Sequence, residues 1–452
     1  MDRRSLLANS AIGSLAAALH SGSAAAAPIP GIPPANPSGK ILANKPRAFD
    51  VMARYGIDGL VAANPLNVYY LTNTITLGTK FRGDFGGFAT LARDPSQPSF
   101  LICTTAETWD IANRDRELPE VIYTSGARAG QALDKGVEPE PVRPRNYAHR
   151  TDVSLTDREQ AWVAAQQAAN DAVAPGAAWG IARALKQSGL AKGRLAVDDM
   201  RIKYMLEEIG FEGPTFVPGE DVFKLIRMVK TAPEIEIMRT TGANNAAAAE
   251  AAMRAMEPGM TFADFQNLFR AACGERGSDM MSIICGMPGG MMPDPVAVKG
   301  KPYIVDAVSS FGMYAGDYAR TLVLGDPPKD VLARARANRI ARDTVFEMVK
   351  PGVKFAALRE AGVNAMVKAG IPDYAVFVTP HCVGLSHSDQ PFRLAGIDPT
   401  PFDHALEENM VLTIDLPYLE VGWGGGHCED LFRVTRTGLE PLNPVTDPLV
   451  VV

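Results

Sequence analysis

Residues 302–325, "PYIVDAVSSFGMYAGDYARTLVLG", carry the strongest fold signal in this chain. Two apolar runs rich in β-branched residues flank Phe311-Gly312, which predicts a β-hairpin. A turn centred on these two residues places Asp306 directly opposite Asp317, with Cβ atoms about 5 Å apart. Directly opposed carboxylates destabilise a sheet unless they share a proton, face a cation or bind a metal. The alternative is a shifted register in which one aspartate is a solvated turn residue.

A second hairpin pattern appears in residues 410–435, "MVLTIDLPYLEVGWGGGHCEDLFRVT". Asp415 and Glu429 are equidistant from Gly422 in its glycine-rich turn, so they are also candidate cross-strand neighbours. Four carboxylates and the imidazole of His381 form an N/O ligand set whose negative charge two dications would balance. A two-metal site of this kind can bridge a hydroxide and polarise a carbonyl group.

The segment "PHCVGLSHSDQP", residues 380–391, holds two of the six histidines of the chain. In a straight strand His381 and His387 would lie about 20 Å apart, at ~3.3 Å per residue. They could bind one ion only if the chain folded back, for example at Gly384, so separate roles are expected. A hydrogen-bonded core histidine is the alternative for either. Cys382 and Cys428 adjoin the candidate ligands, and strand alternation predicts that they point away and are buried.

The composition is that of a globular protein with room for two domains: 452 residues, 46% hydrophobic and 21% charged. The formal net charge of −6 gives no electrostatic footprint for nucleic acid. The five cysteines are odd in number and widely scattered, which argues against a disulfide scaffold.

The N-terminus has the pattern of an export signal. Residues 1–27 have a basic start with Arg3-Arg4, a weakly apolar stretch and small residues suited to cleavage. The arginine pair predicts twin-arginine export and a periplasmic or exported protein. A general secretory signal and an untargeted helix are the alternatives. Polar residues interrupt the apolar stretch, so no stable membrane span is expected. Residues 28–45 are interpreted as a proline-rich linker.

The remaining chain predicts an α/β (α+β) protein with domains at residues 46–222 and 223–452. In the first domain, residues 56–73 are interpreted as strand, turn and strand, and residues 88–105 as a hairpin. The sequence pattern changes near residue 225. A long helix pattern follows over residues 231–259.

These motifs resemble the pita-bread metallopeptidase family of aminopeptidase P, prolidase, methionine aminopeptidase and creatinase. The resemblance runs from about residue 46 to residue 445, and several ordered segments carry it. Besides the two aspartate- and glutamate-bearing hairpins and the histidine segment, they are "NPLNVYYLTN" (64–73) and "MVKTAPEIEIMR" (228–239). It implies an N-terminal creatinase-like α/β domain followed by a C-terminal pita-bread catalytic domain. It also implies dimers, which makes a homodimer the expected assembly.

The resemblance implies a role for each site residue. The metal ligands would be Asp306, Asp317, His381, Asp415 and Glu429, holding two divalent ions (Mn, Co, Zn or Fe). His387 would face the substrate, and Glu429 could also accept the proton of the nucleophile. Arg320 occupies the position of a family arginine; it could pair with a carboxylate such as Asp430, and a surface position is the alternative.

The chain departs from the family pattern in two informative ways. Asp415 stands where the family has glutamate, so its oxygens reach about one methylene less far. The family's peptidases carry another histidine upstream of the first aspartate, but this chain has none between His149 and His381. The matching stretch "CGMPGGMMPDPVAV" (285–298) instead has Met291 and Met292 near that position. A slower peptidase and a different reaction on the same fold are both compatible with this loss.

The expected function is therefore a metal-dependent hydrolase of the Xaa-Pro aminopeptidase or prolidase type, acting on small peptides through a metal-activated hydroxide. One alternative is a creatinase-like C–N hydrolase or a lyase acting on a small polar metabolite. Another is a binding protein that has kept the fold without metal, although bare opposed carboxylates would then cost stability.

Overall fold

The computed structural model describes residues 38–81, 86–112, 116–126, 134–143, 150–286, 292, 294–372 and 377–452. The predicted signal at residues 1–27, linker residues 28–37 and Met291 lie outside the described residues. Within the described residues, no helix is both long and apolar enough to cross a bilayer.

The N-terminal part of the chain forms a mixed six-stranded sheet in the order β4-β3-β2-β1-β5-β6. Parallel pairs join β1 to β5, β5 to β6 and β3 to β4, whereas β1–β2 and β2–β3 are antiparallel. The strands are β1 Gly59–Ala62, β2 Gly87–Ala92, β3 Phe100–Thr104, β4 Glu120–Thr124, β5 Arg194–Val197 and β6 Thr215–Pro218.

The C-terminal part contains the sheets that build the site. One has the path β15-β10-β8-β7, with β18 added beside β10 and β9 beside β8. Another has the order β11-β12-β16-β17, and β13 pairs with β14. The strands are β7 Asp279–Gly286, β8 Pro302–Phe311, β9 Tyr314–Ala315, β10 Tyr318–Val323, β11 Thr379–Cys382, β12 Val411–Asp415, β13 Tyr418–Glu420, β14 Gly424–Gly426, β15 Glu429–Asp430, β16 Phe432–Val434, β17 Leu439–Pro441 and β18 Leu449–Val451.

Helices cover these sheets. Of the C-terminal helices, α9 and α10 pack on β7 and β8, and α11 and α12 pack on each other. The helices are α1 Lys45–Arg54, α2 Pro65–Thr72, α3 Leu77–Lys80, α4 Thr108–Ala112, α5 Asp157–Ala172, α6 Ala177–Gln187, α7 Arg201–Glu208, α8 Glu220–Arg227, α9 Ala232–Arg254, α10 Phe262–Gly274, α11 Lys329–Met348 and α12 Phe355–Lys368, and Thr105–Glu107 form a 3-10 turn. The predicted long helix is confirmed as α9, and the predicted domain boundary between residues 222 and 223 falls within α8.

One sequence interpretation in the N-terminal domain was wrong. Residues 56–73 form a strand followed by the helix α2, not two strands. Asn64 caps this helix, since its side chain accepts the backbone N–H of Leu66, and Pro65 occupies the first helical position. An Asn-Pro pair is a helix-start signal, and it outweighs the β-branched and aromatic residues that follow. The hairpin predicted for residues 88–105 is confirmed as β2–β3.

The hairpin of residues 302–325 is present, but its register differs from the predicted one. Phe311 pairs with Tyr314, so the turn consists of Gly312 and Met313, both with positive φ (56° and 71°). A two-residue turn with left-handed residues matches the twist of the flanking strands. Asp306 consequently pairs with Ala319. The expectation that it directly opposes Asp317 was wrong, because Asp317 lies two residues earlier on the facing strand.

Candidate metal centre

Three neighbouring strands place the acidic residues on one face of a sheet. Ala319 of β10 pairs with Asp306 of β8 on one side and with Glu429 of β15 on the other. Paired residues share a face, and so do residues two apart along a strand, which adds Asp317 to the same face. The small, buried side chain of Ala319 therefore lies between the carboxylates of Asp306, Asp317 and Glu429.

A second sheet brings in the remaining candidate residues. Asp415 ends β12, and His381 lies on the adjacent strand β11, where it pairs with Thr413. The hydroxyl of Thr413 donates a hydrogen bond of 2.8 Å to Oε1 of Glu429, which links the two sheets. Asp415 and Glu429 are equidistant from Gly422 in the sequence. The strand pairs Tyr418–Gly426 and Leu412–Phe432 are equidistant from Gly422 as well, so the predicted centre of the turn is retained.

His381 is the centre of a tight group of oxygens. Its Nε2 lies 3.6 Å from Oδ2 of Asp317, 3.5 Å from Oδ2 of Asp415 and 3.6 Å from Oε1 of Glu429. These separations are too long for good hydrogen bonds. Donor atoms that bind one ion tetrahedrally at about 2.0 to 2.2 Å lie roughly 3.4 Å apart. The distance from Nε2 to each of these oxygens is thus that between two ligands of one cation.

A sixth side chain, His427, joins the centre. It is buried, and its Nε2 lies 3.5 Å from Oδ1 of Asp415 and 3.6 Å from Oε2 of Glu429. With Asp306 and Glu429 it forms a group whose potential ligand atoms all lie within 4.8 Å of one another. The sequence patterns did not mark this residue as a metal ligand.

Burial and mutual repulsion dominate the electrostatics of the carboxylates. Burial, followed by the charge of Asp317, raises the pKa of Asp306 to about 7. Burial and the charges of Asp317, Asp415 and Asp306 raise the pKa of Glu429 well above its usual range. For Asp415 burial also acts upward, but the nearby imidazoles of His427 and His381 outweigh it and lower its pKa. The centre therefore concentrates negative charge that a cation would offset.

His387 differs from the other two histidines in its exposure and spacing. Its side chain is 45% exposed, and its Nε2 lies 2.8 Å from Oδ2 of Asp317, a hydrogen-bond distance. This hydrogen bond raises the pKa of His387 to about 9. The separation of about 20 Å in a straight strand does not apply, because the chain folds back and the His381 and His387 rings are centred 5.0 Å apart.

The chain folds back between these histidines around a buried ion cluster. Asp389 accepts hydrogen bonds from Nε and Nη2 of Arg227 (2.9 and 2.7 Å) and from Nζ of Lys230 (3.1 Å). A Cβ at Gly384 would lie 2.6 Å from this Nζ and would overlap the Asp389 carboxylate, so the fold-back needs glycine there. Arg227 also donates to Oγ of Ser386, the residue before His387. The cluster thereby holds the loop that presents His387.

Arg320 supports the opposite side of the centre. Its Nη2 lies 2.6 Å from Oδ1 of Asp430, and both side chains are fully buried. Its Nη1 donates to the backbone carbonyl of Glu429 at 2.8 Å. The expected pairing of Arg320 with Asp430 is confirmed, and it fixes the backbone of β15. All five cysteines are free and buried, as expected for Cys382 and Cys428.

A cavity of about 310 Å³ opens beside Asp306, Asp415 and His427. Most of its other described walls are apolar, since they come from Ile284, Ile304, Phe377, Pro417 and Leu419, with Thr379 adding a hydroxyl. A small ligand with an apolar group would thus lie directly against the acidic centre. Met292, near the position of the missing histidine, is buried in the hydrophobic core formed with α9 and α10.

Comparisons with known proteins point to one family. Residues 236–436 match the sequence model of metallopeptidase family M24. The chain is 29% identical to a probable dipeptidase PepE of Mycobacterium bovis, over 56% of this chain and 69% of that protein. It is 26% identical to an Xaa-Pro dipeptidase of Pyrococcus furiosus, over 49% of this chain and 65% of that protein.

The fold has clear counterparts among solved structures. A dipeptidase from Pyrococcus horikoshii matches with a TM-score of 0.66 and 17% identity, over 90% of this chain and 99% of that one. A prolidase from Pyrococcus furiosus matches with a TM-score of 0.61 and 21% identity, over 88% and 99%. These likenesses confirm an N-terminal α/β domain followed by a C-terminal pita-bread domain. The sequence matches support a metallopeptidase-like hydrolase.

Proposed function

We propose that this chain, whose residues 236–436 match metallopeptidase family M24, is a two-metal hydrolase that cleaves the amide bond of small Xaa-Pro peptides. The observation that carries the proposal is the position of His381. Its Nε2 lies 3.5 to 3.6 Å from oxygens of three different carboxylates, beside a cavity with apolar walls.

The residues present fit a pair of dications. Glu429 is 1% exposed, and its Oε2 has no hydrogen-bond donor among the described residues. A buried carboxylate oxygen without a partner costs free energy that a bound cation would recover. Asp306, Asp317, His381, Asp415 and Glu429 would hold the ions. When bound, the ions would supply Lewis-acid polarisation of a carbonyl group and a nucleophilic hydroxide at neutral pH.

The protein's own groups would then handle the proton and the substrate oxygen. Because the pKa of His387 is raised to about 9, its imidazolium can donate a hydrogen bond to the oxygen that becomes negative during attack. The carboxylate of Glu429 could accept the proton of the nucleophile and pass it to the leaving nitrogen.

The cavity favours peptides over polar metabolites as substrates. Ile304, Phe377 and Leu419 offer a surface for a proline ring or another apolar side chain. Burying apolar area contributes about 25 cal/mol per Å², which a small polar metabolite would not provide. The second candidate is a C–N hydrolase or lyase of creatinase type. It is favoured by the absence of a histidine between His149 and His381.

Metal analysis and a substrate panel test these candidates. The mature protein would be loaded separately with Mn²⁺, Co²⁺, Zn²⁺ and Fe²⁺ and given Gly-Pro, Ala-Pro, Leu-Pro, Phe-Pro, Leu-Ala and longer Xaa-Pro peptides, with products identified by mass spectrometry. Cleavage of Xaa-Pro peptides that the His381→Ala variant lacks supports the proposal. Two bound ions without any amide cleavage would favour the second candidate. Failure of every metal to bind would point to a metal-free binding protein.

We also propose export by the twin-arginine route and assembly as a homodimer. The first is supported by Arg3-Arg4 and the small residues that follow, and the second by the family resemblance. Fractionation of cells that express the wild type and a variant with Lys at both arginine positions tests export. Light scattering after size-exclusion chromatography tests the dimer.

A further inference from the structure

We propose that His427 is a sixth protein ligand of the metal centre, so that each of the two ions binds one imidazole. The inference rests on the two-metal function proposed above and extends it by defining the second ion position. One ion would bind Asp317 and His381, and the other Asp306 and His427. Asp415 and Glu429 would bridge the two positions.

Two carboxylates divide their oxygens between the two histidines. Asp415 directs Oδ2 towards His381 and Oδ1 towards His427, at 3.5 Å in each case. Glu429 directs Oε1 towards His381 and Oε2 towards His427, at 3.6 Å in each case. The spacing around His427 is therefore the same as that around His381, and it is that of ligand atoms around an ion. A hydrogen-bonded pair would instead approach to 2.7 to 3.2 Å.

His427 is held in this place by its backbone. Its N–H donates to Oγ1 of Thr321 at 2.9 Å, and that hydroxyl lies 3.3 Å from the carbonyl of His427. The preceding strand β14 consists of glycines, and a Cβ at Gly425 would lie only 2.7 Å from the side chain of Ile304. The close approach of β14 to β8 thus places His427 beside Asp306.

A carboxylate oxygen that faces this position lacks another partner. Oε2 of Glu429 is buried and has no hydrogen-bond partner among the described residues. One cation between Asp306, Asp415, Glu429 and His427 would use the unpartnered carboxylate oxygen and Nε2 together.

An imidazole at the second position also alters metal choice. Carboxylate ligands suit Mg²⁺ and Mn²⁺, whereas imidazole favours Zn²⁺, Co²⁺ and Fe²⁺. Asp415 reaches about one methylene less far than a glutamate, and His427 adds a nitrogen donor 3.5 Å from Oδ1 of Asp415. The second ion should therefore bind as Zn²⁺ or Co²⁺ more tightly than as Mn²⁺.

The test measures binding of Co²⁺ to the full-length protein after removal of metal with a chelator. Calorimetry and the visible d–d absorption of Co²⁺ give the stoichiometry and the affinity of each position. We expect two ions per wild-type chain. In His427→Ala the affinity of one position for Co²⁺ should fall at least about 100-fold. Even the loss of a residue that only hydrogen-bonds a ligand typically lowers metal affinity by about 10- to 100-fold. Asp306→Asn should weaken the same position. His404→Ala, which alters a histidine outside the centre, should retain both ions.

The outcomes separate this inference from the proposed function. Two ions with wild-type affinities and an unchanged spectrum in His427→Ala would overturn the inference and leave the two-metal hydrolase intact. No binding of Co²⁺, Zn²⁺ or Mn²⁺ by the wild type would overturn both. If His427→Ala does not fold, paramagnetically shifted ring N–H signals of the Co²⁺-loaded wild type decide the matter. Two such signals support the inference, and a single one overturns it.

Discussion

Nε2 of His387 lies 2.8 Å from Oδ2 of Asp317, whereas Nε2 of His381 lies 3.6 Å from the same oxygen. The shorter distance is that of a hydrogen bond, and the longer one is that of two ligands of one ion. His387 is also 45% exposed, so it can face a substrate. Two histidines only six positions apart in the sequence thus have different places in the centre.

The first prediction concerns His387. In His387→Gln we expect kcat to fall by roughly 100-fold or more, because a positioned acid–base group contributes on the order of 10²- to 10⁴-fold. Metal content should stay the same, since His387 is proposed to face the substrate and not to bind an ion. Peptide-cleavage kinetics and elemental analysis of the same samples check this. Loss of an ion with the side chain would contradict it.

The second prediction concerns stability in the presence and absence of metal. A neutral amide in Glu429→Gln removes a buried charge that three other carboxylates repel. We therefore expect the chelator-treated variant to unfold at a temperature at least as high as the chelator-treated wild type at pH 8. Added metal at 100 times its Kd should stabilise the wild type by about 2.7 kcal/mol.

The same metal addition should leave Glu429→Gln nearly unchanged. Differential scanning calorimetry with and without metal measures both effects. A variant that gained as much stability from metal as the wild type would show that Glu429 does not bind the ion.

The third prediction concerns the buried cluster behind the histidine loop. Arg227 and Lys230 outweigh the burial of Asp389 and lower its pKa. Asp389→Asn would remove the buried counter-charge of Arg227 and Lys230 and leave Arg227 with the partly exposed Glu220 at 3.7 Å, which should cost about 3 to 5 kcal/mol of unfolding free energy. Urea unfolding measures the loss.

A surface ion pair provides the control for this cluster. Asp152 pairs with Arg150, and both side chains are mostly exposed. We expect no measurable change in the urea midpoint of Asp152→Asn. Equal effects of the two substitutions would contradict a special role for the buried cluster.

The fourth prediction concerns the pH dependence of the N-terminal domain. Asp198 accepts the backbone N–H groups of Ala63 and Asn64, but burial outweighs these bonds and raises its pKa to about 6. Its pKa in the unfolded chain is about 3.9. A raised pKa contributes stability that is present below about pH 4 and lost as the pH rises through about 6. Relative to Asp198→Asn, the wild type should lose on the order of 1 to 3 kcal/mol between pH 4 and pH 7.

The neighbouring Asp199 should show the opposite dependence of stability on pH. Its hydrogen bond from Arg201 lowers its pKa, so its contribution is present above the unfolded pKa and lost as the pH falls. Urea titrations of Asp198→Asn and Asp199→Asn from pH 3.5 to pH 7.5 measure how the unfolding free energy of each variant, relative to the wild type, changes with pH. A difference between wild type and Asp198→Asn that stays constant with pH would refute the assignment.

Local sequence patterns predicted much of this architecture correctly. The helix over residues 231–259 and the hairpin of residues 88–105 have strong local signals, respectively a helix-start motif and a turn. The symmetry of Asp415 and Glu429 about Gly422 also persists, because a hairpin's register follows from its turn. The interpretation of residues 56–73 as two strands was wrong, because the Asn-Pro helix start outweighs the strand propensity of the residues that follow it.

Other features depended on geometry that a local pattern does not contain. The turn at Gly312-Met313 requires a left-handed methionine, which the sequence disfavours, so the predicted register was off. His427 precedes Glu429 by two residues, and strand alternation could have placed both on one face. The ion pair of Arg227 with Asp389 joins residues far apart in the chain, and no local sequence pattern predicts it.

By itself, the sequence determined which side chains are available for chemistry and which strands and turns carry them, because these depend on periodicity and turn preference. Only the tertiary structure decided that Asp306 and Glu429 flank Ala319 across three strands and that a second sheet adds His381 and Asp415. The position of His427 was decided in the same way. Distances between side chains on different sheets are set by how the sheets pack, and a linear pattern does not encode that.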